Sequence, residues 1–121
     1  MNVLIVEDHV AIAEIYIKIL EQAGYQVEWA KTPDEAIEFC KHTTYDILLV
    51  DLMLPNMSGD ELIYAIRTLT NNISNPIIVT TNMGSGYNKQ SLRDLGVEEF
   101  LLKVDAGPTE ILETIDKYVH V

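Results

Sequence analysis

Five short apolar runs alternate along this chain with segments of helical periodicity, and that alternation leaves few folds open. Residues 2–6, 46–50 and 77–80 are almost wholly apolar, as strands are when both faces of a sheet are covered. Residues 26–30 and 98–102 are more polar, and Glu98 and Glu99 suit a protected edge. Over residues 9–23, Ile12, Ile15, Tyr16, Ile19, Leu20 and Ala23 recur at helical spacing as an inward stripe that Gly24 ends. Thr32-Pro33-Asp34-Glu35 and Ser58-Gly59-Asp60-Glu61 read as capping boxes. The helices behind them turn Ala36, Ile37 and Cys40, and then Leu62, Ile63, Ile66 and Leu69, inward. A weaker helix runs to Leu95 after a loop at 82–88. Gly107-Pro108 opens a last helix with Ile111, Leu112, Ile115, Tyr118 and Val119 inward.

Strand–helix alternation implies a parallel sheet, because parallel strands need a crossover and right-handed crossovers put helices on both faces. The expected fold class is α/β, a flavodoxin-like sandwich of five βα units in three layers, with a five-stranded parallel sheet in the order 2-1-3-4-5. The length of 121 residues suits a single domain over 1–121, with no internal repeat or linker.

Nineteen acidic side chains against eight basic ones give a formal net charge of -11. Such a surface repels nucleic acid and anionic membrane and favours basic partners or metal cations. One cysteine, Cys40, excludes an internal disulfide framework and a cysteine-rich zinc site, and its spacing puts it on an apolar helix face. The opening residues lack a basic region and meet acid at Glu7, unlike a signal peptide. No apolar run has membrane-spanning length, so the expected location is the cytoplasm.

The chemistry gathers at strand ends. Glu7-Asp8 closes the first run and Asp51 the third. In the expected order these strands are neighbours, and their carboxyl ends meet at the topological switch point, where such sheets bind ligands. Crowded carboxylates repel, and a cation relieves the cost; oxygen donors without His or Cys favour Mg2+. Thr81 and Lys103 follow the fourth and fifth runs and overhang the same edge. Singly, each has a plain reading: Asp8 as a helix cap, Lys103 as a solvated lysine, Thr81 as a loop residue. Their coincidence at the matching strand ends argues for a divalent-metal and phosphate site. FMN fits poorly, since two acids after the first strand repel its phosphate. No P-loop is present, Gly84-Ser85-Gly86 lacks a third glycine, and Met53 replaces the second Asp of a dehalogenase-type phosphatase.

From Val3 to Tyr118 the chain resembles the receiver domain of two-component response regulators, the CheY-like proteins. The motifs are Val3-Leu4-Ile5-Val6-Glu7-Asp8, Asp51-Leu52-Met53-Leu54-Pro55 with Ser58-Gly59, Pro76-Ile77-Ile78-Val79-Thr80-Thr81, and Phe100-Leu101-Leu102-Lys103. The resemblance implies that Asp51 is the phosphoacceptor. It implies that Asp8, Asp51 and the Met53 backbone carbonyl bind Mg2+, with Glu7 acting through water. Thr81, five residues after Pro76, matches the switch hydroxyl; Lys103 matches the phosphoryl-binding lysine and Phe100 the aromatic switch. The implied partners are a histidine kinase or histidine phosphotransfer protein and an unknown downstream protein, with room for a phosphorylation-dependent homodimer. The implied activity is phosphoacceptance in signalling, including self-phosphorylation from small donors and slow self-dephosphorylation, rather than conventional enzymology.

On the first helix Val10, Ala13 and Ile17 form a second apolar stripe, expected to meet the phosphodonor. Three departures from the family pattern stand out. Val104 follows Lys103 where the family usually has a cis proline, so a trans bond is expected, and Lys103 is held less firmly. Asn82 replaces a small residue after Thr81 and narrows access to Asp51. Met53 and Met83 flank the site with apolar groups that position water poorly, which predicts slow hydrolysis of the acyl phosphate. These departures keep a second reading open: a degenerate receiver acting as a phosphorylation-independent interaction module. The chain ends soon after the fifth helix, as expected for a single-domain regulator or a phosphorelay intermediate.

Overall fold

A computed structural model describes residues 1–82 and 88–119. The strands are β1 Asn2–Val6, β2 Gln26–Ala30, β3 Ile47–Asp51, β4 Ile77–Thr81 and β5 Val97–Leu102. They form one five-stranded sheet in the order β2-β1-β3-β4-β5, with every neighbouring pair parallel. The helices are α1 Val10–Gln22, α2 Pro33–His42, α3 Gly59–Leu69, α4 Lys89–Asp94 and α5 Pro108–Val119. This is the flavodoxin-like order expected from the alternation. A single 3₁₀ turn, Lys103–Asp105, separates β5 from α5, so Lys103 starts that turn rather than ending the strand.

Helix starts follow the local chemistry. Thr32 and Ser58 accept the backbone N–H of Glu35 and Glu61 at 3.1 and 3.2 Å. Glu35 turns its carboxylate to the N–H of Lys31, one residue before the cap. Gly24, at φ +97°, takes the left-handed conformation that ends α1, and its N–H reaches the Glu21 carbonyl.

The sheet separates two apolar layers. Leu4, Val6, Leu48, Val50, Ile77 and Val79 face Ala36, Cys40, Leu62, Ile63 and Ile66 on one side. Val3, Ile5, Ile47, Leu49 and Ile78 face Tyr16, Leu20, Ile111 and Ile115 on the other. Because β1, β3 and β4 are central, their apolar runs are buried on both faces.

Two helix readings are corrected here. In α1, Ala13 is fully buried and Ile17 packs partly into the core, whereas Ile15 is 50% exposed. The buried arc is therefore centred on Ala13, Tyr16 and Leu20, and of the expected docking stripe Val10 alone is exposed. A methyl side chain at position 13 suits close helix–sheet approach, which a branched residue would prevent. In α3, Leu69 is exposed because the helix ends there, and the buried face takes Arg67 instead. The Gly-containing loop before α4 and Met83 lie outside the described residues.

Candidate functional site

The site grows from strands that end together. Val3 to Val6 of β1 pair with Ile47 to Val50 of β3, so Glu7 and Asp51 stand at neighbouring positions just beyond matched register. Both are nearly inaccessible, while Asp8, one step into the loop, is exposed. One carboxylate oxygen from each of Glu7, Asp8 and Asp51 lies within 4.8 Å of the others. On the other side of β3, Asp51 pairs with Thr80, and Thr81 lies one residue further along β4, opposite Leu102. Both threonines are buried.

Lys103 crosses to this acidic edge. Its Nζ lies 2.8 Å from Asp51 Oδ2 and 2.9 Å from Glu7 Oε1. Val104 in place of proline has not displaced it, and no cis peptide occurs among the described residues, so the bond before Val104 is trans as expected. Asp51 Oδ1 accepts the Met53 N–H at 2.8 Å, which fixes the carboxylate plane from the second oxygen. The loop beyond is tight: Gly59 N–H reaches the Leu52 carbonyl, and a Cβ at Gly59 would stand 2.8 Å from Leu52 Cα. Glycine is required there by close approach.

Burial raises the Glu7 carboxyl pKa above its ordinary value, outweighing the opposing bonds from Lys103 and the His9 N–H. Burial pushes Lys103 the other way, but hydrogen bonds to Asp51 and Glu7 prevail and its pKa is raised. Three carboxylates against one ammonium leave an acidic surplus. The donor set is all oxygen, with neither His nor Cys in the group, and fits a hard divalent cation such as Mg2+.

Phe100, opposite Val79 on β5, packs partly against the core beneath α4. Lys89 Nζ and Arg93 Cζ lie 5.6 and 5.3 Å from its ring centroid. Met53 is 54% exposed at the pocket rim, and Asn82 is exposed. Sequence reasoning missed two contributors. Trp29 Nε1 donates to the Glu7 carbonyl at 2.8 Å, and the His9 N–H donates to Glu7 Oε2 at 3.1 Å. A lone tryptophan one residue before a strand's end was the available signal for the first.

Fold and site together define a class: parallel α/β proteins whose switch point carries an acidic pocket closed by a lysine. The description "Response regulator receiver domain" matches residues 3–116, and the chain belongs to that family. Transcriptional regulatory protein DltR of Streptococcus agalactiae is 34% identical over 85% of this chain and 45% of its own length. Hybrid signal transduction histidine kinase B of Dictyostelium discoideum is 33% identical over 98% of this chain and 7% of its own. The chain thus spans less than half the length of these curated relatives. Among solved structures, a CheY-like receiver domain protein from Methanospirillum hungatei superposes with a TM-score of 0.89 at 29% identity, covering 98% of this chain and 93% of that one. Chemotaxis protein CheY4 of Vibrio cholerae gives 0.87 at 29% identity, covering 97% of each. Glu7, Asp8 and Asp51 form an acidic cluster of the kind at which receiver domains bind Mg2+.

Proposed function

We propose that this chain is a phosphoacceptor in a two-component or phosphorelay system, with Asp51 receiving the phosphoryl group from a phosphohistidine. The observation that carries the reading is the ion pair of Lys103 with Asp51 Oδ2 and Glu7, beside the exposed Asp8 carboxylate. An Asp51 oxygen forms the new P–O bond as the P–N bond breaks. The bonding pair leaves on the imidazole nitrogen, which takes a proton from solvent. Lys103 moves from carboxylate to phosphoryl oxygen with little displacement, and the Thr81 hydroxyl donates to another. Asp8, Asp51 and the Met53 carbonyl, with Glu7 through water, would hold Mg2+, which would supply neutralisation of charge on the transferring group. Hydrolysis reverses the bond: water attacks phosphorus, inorganic phosphate leaves and the Asp51 carboxylate is regenerated. Met53 at the rim disfavours ordered water, so the acyl phosphate persists beyond seconds.

The phosphodonor is a histidine kinase or histidine phosphotransfer protein. It meets α1 through the exposed Val10 and Ile15, since Ala13 is fully buried and Ile17 packs partly into the core. Phosphorylation draws Thr81 inward and repositions Phe100, biasing the surface of α4, β5 and α5 toward a downstream protein or a second copy. Among the described residues no helix is long and apolar enough to cross a membrane. Mass spectrometry after incubation with acetyl phosphate and Mg2+ tests the reading. The wild type gains one phosphoryl group and Asp51→Asn gains none; no gain in either overturns it. Failure to bind beryllofluoride with Mg2+ would favour the phosphorylation-independent interaction module.

A further inference from the structure

The turn carrying Glu7, Asp8 and His9 must aim an exposed carboxylate at two buried ones, and it has few restraints of its own. His9, the N-cap of α1, makes no side-chain cap, and the first turn of α1 holds no acid. Within the turn at 7–9 the His9 N–H donates to Glu7 Oε2 at 3.1 Å, and the restraints on the Glu7 carbonyl and N–H come from β2. The Glu7 N–H donates to the Ala30 carbonyl at 3.1 Å, and the Glu7 carbonyl accepts Trp29 Nε1 at 2.8 Å. The peptide joining Glu7 to Asp8 is therefore held by an indole from a different strand. The indole is itself held. Trp29 pairs with Ile5 in the sheet and packs against the apolar layer under α1 and α5, and Lys31 Nζ lies 4.8 Å from the ring centroid.

We infer that Trp29 is a positioning residue for the cation site, an inference that rests on the reading of that site given above. The direction of the peptide carbonyl at Glu7 sets the plane from which the Asp8 Cα–Cβ bond leaves. Locking that carbonyl presents Asp8 to Glu7 and Asp51 before any cation arrives. A half-buried aromatic that merely satisfied its own N–H would give the same hydrogen bond but would not alter affinity for the cation. Outer partners that orient ligands do alter it, commonly by factors of ten or more.

Trp29→Phe keeps a half-buried ring and removes the donor. The expected result, by isothermal calorimetry with MgCl2, is a Mg2+ affinity about tenfold weaker than wild type, the lower end of what loss of an outer partner costs. The accompanying deficit in acetyl phosphate labelling disappears as Mg2+ is raised. An unchanged Kd overturns the inference. Wild-type protein supplies a second measurement that needs no variant. Its sole tryptophan gives one indole N–H resonance, which in metal-free protein should already be protected from solvent exchange by the preformed bond, and an indole N–H that exchanges freely until Mg2+ is added overturns the inference. The two failures are distinguishable. Wild-type protein that binds Mg2+ and is labelled, alongside Trp29→Phe of equal affinity, removes only the role of Trp29; wild-type protein that binds no Mg2+ removes the site reading as well.

Discussion

Lys103 Nζ lies 2.8 Å from Asp51 Oδ2 and 2.9 Å from Glu7 Oε1, so a single ammonium bridges the ends of two adjacent strands from a turn beyond a third. With both acids nearly inaccessible, the lysine offsets repulsion that water cannot screen. Replacing it by methionine leaves two carboxylates facing each other. Breaking a fully buried pair costs about 3–5 kcal/mol, and proton uptake by Glu7 should reduce that to roughly 1–3 kcal/mol in Lys103→Met. Urea denaturation in metal-free buffer measures the loss. Labelling by acetyl phosphate should fall by orders of magnitude, and retention of near-normal labelling would remove Lys103 from the proposed mechanism.

The same burial sets a pH dependence. Glu7 has a folded-state pKa above its unfolded value, so between the two the folded chain binds more protons. Its contribution is therefore fully present below the ordinary carboxylate range and is lost as pH rises through the folded-state value. Lys103, also raised, contributes below the ordinary lysine range and loses that contribution only as pH climbs through its higher folded value. Metal-free urea midpoints followed upward from pH 4 should decline across the Glu7 window, and Glu7→Gln should flatten the decline. Added Mg2+ should raise the midpoint most where Glu7 is ionised. A midpoint that rises identically for both proteins would contradict the assignment.

Phe100 lies under two cations from one helix, Lys89 and Arg93, four residues apart on α4. If phosphorylation repositions Phe100, these contacts weigh against the move. Each is worth about 0.5–1 kcal/mol at an exposed site. Arg93→Gln should therefore tighten beryllofluoride binding roughly two- to five-fold, since the cost of reaching the binding-competent state falls by that energy. Fluorine NMR of the bound beryllofluoride reads the change, and weaker binding would mean that Arg93 supports the active arrangement.

The strands were legible to within a residue because an apolar run bounded by turn residues has only one solution between two helical layers. Glu7, Asp8 and Asp51 converged for the same reason, since strand order puts the ends of β1 and β3 side by side, whereas Lys103 starts two strands from β3 and reaches them only by the length of its side chain. Thr81 was legible through the resemblance, by its spacing of five residues from Pro76, and it closes β4. Helix faces were harder. In α1 nine of thirteen positions are apolar, so periodicity permitted two stripes, and the buried arc draws on both, Tyr16 and Leu20 from one and Ala13 from the other. Contacts between distant residues left no periodic trace at all. Nothing in the spacing of Glu7 and Trp29 announces an indole on a backbone carbonyl 22 residues away. Similarly, nothing in the spacing of Asn72 and Asn75 announces that they build a buried polar clasp with Arg67.

That clasp supports the last prediction. Asn72 is fully buried; its Oδ1 accepts the Tyr45 N–H at 2.9 Å and the Asn75 amide at 2.8 Å. Its Nδ2 donates to the carbonyls of Cys40 and Thr43, each at 2.9 Å, so one side chain ties the end of α2 to the start of β3. Arg67 extends the clasp by donating to the carbonyls of Asn72, Asn75 and Leu95, the last at the end of α4. Every one of these groups lies at the amino-terminal ends of β3, β4 and β5, opposite the carboxylate pocket. Asn72→Ala would leave the Tyr45 N–H and two carbonyls unsatisfied in the interior, at about 1–3 kcal/mol for such a group. Because partial relaxation and water entry relieve some of that, a total of roughly 2–5 kcal/mol is expected from the urea midpoint. Acetyl phosphate labelling of the folded fraction should stay at the wild-type rate, since the sheet transmits no change in register to Asp51. Slower labelling at full folding would show that the clasp and the pocket are coupled through the strands.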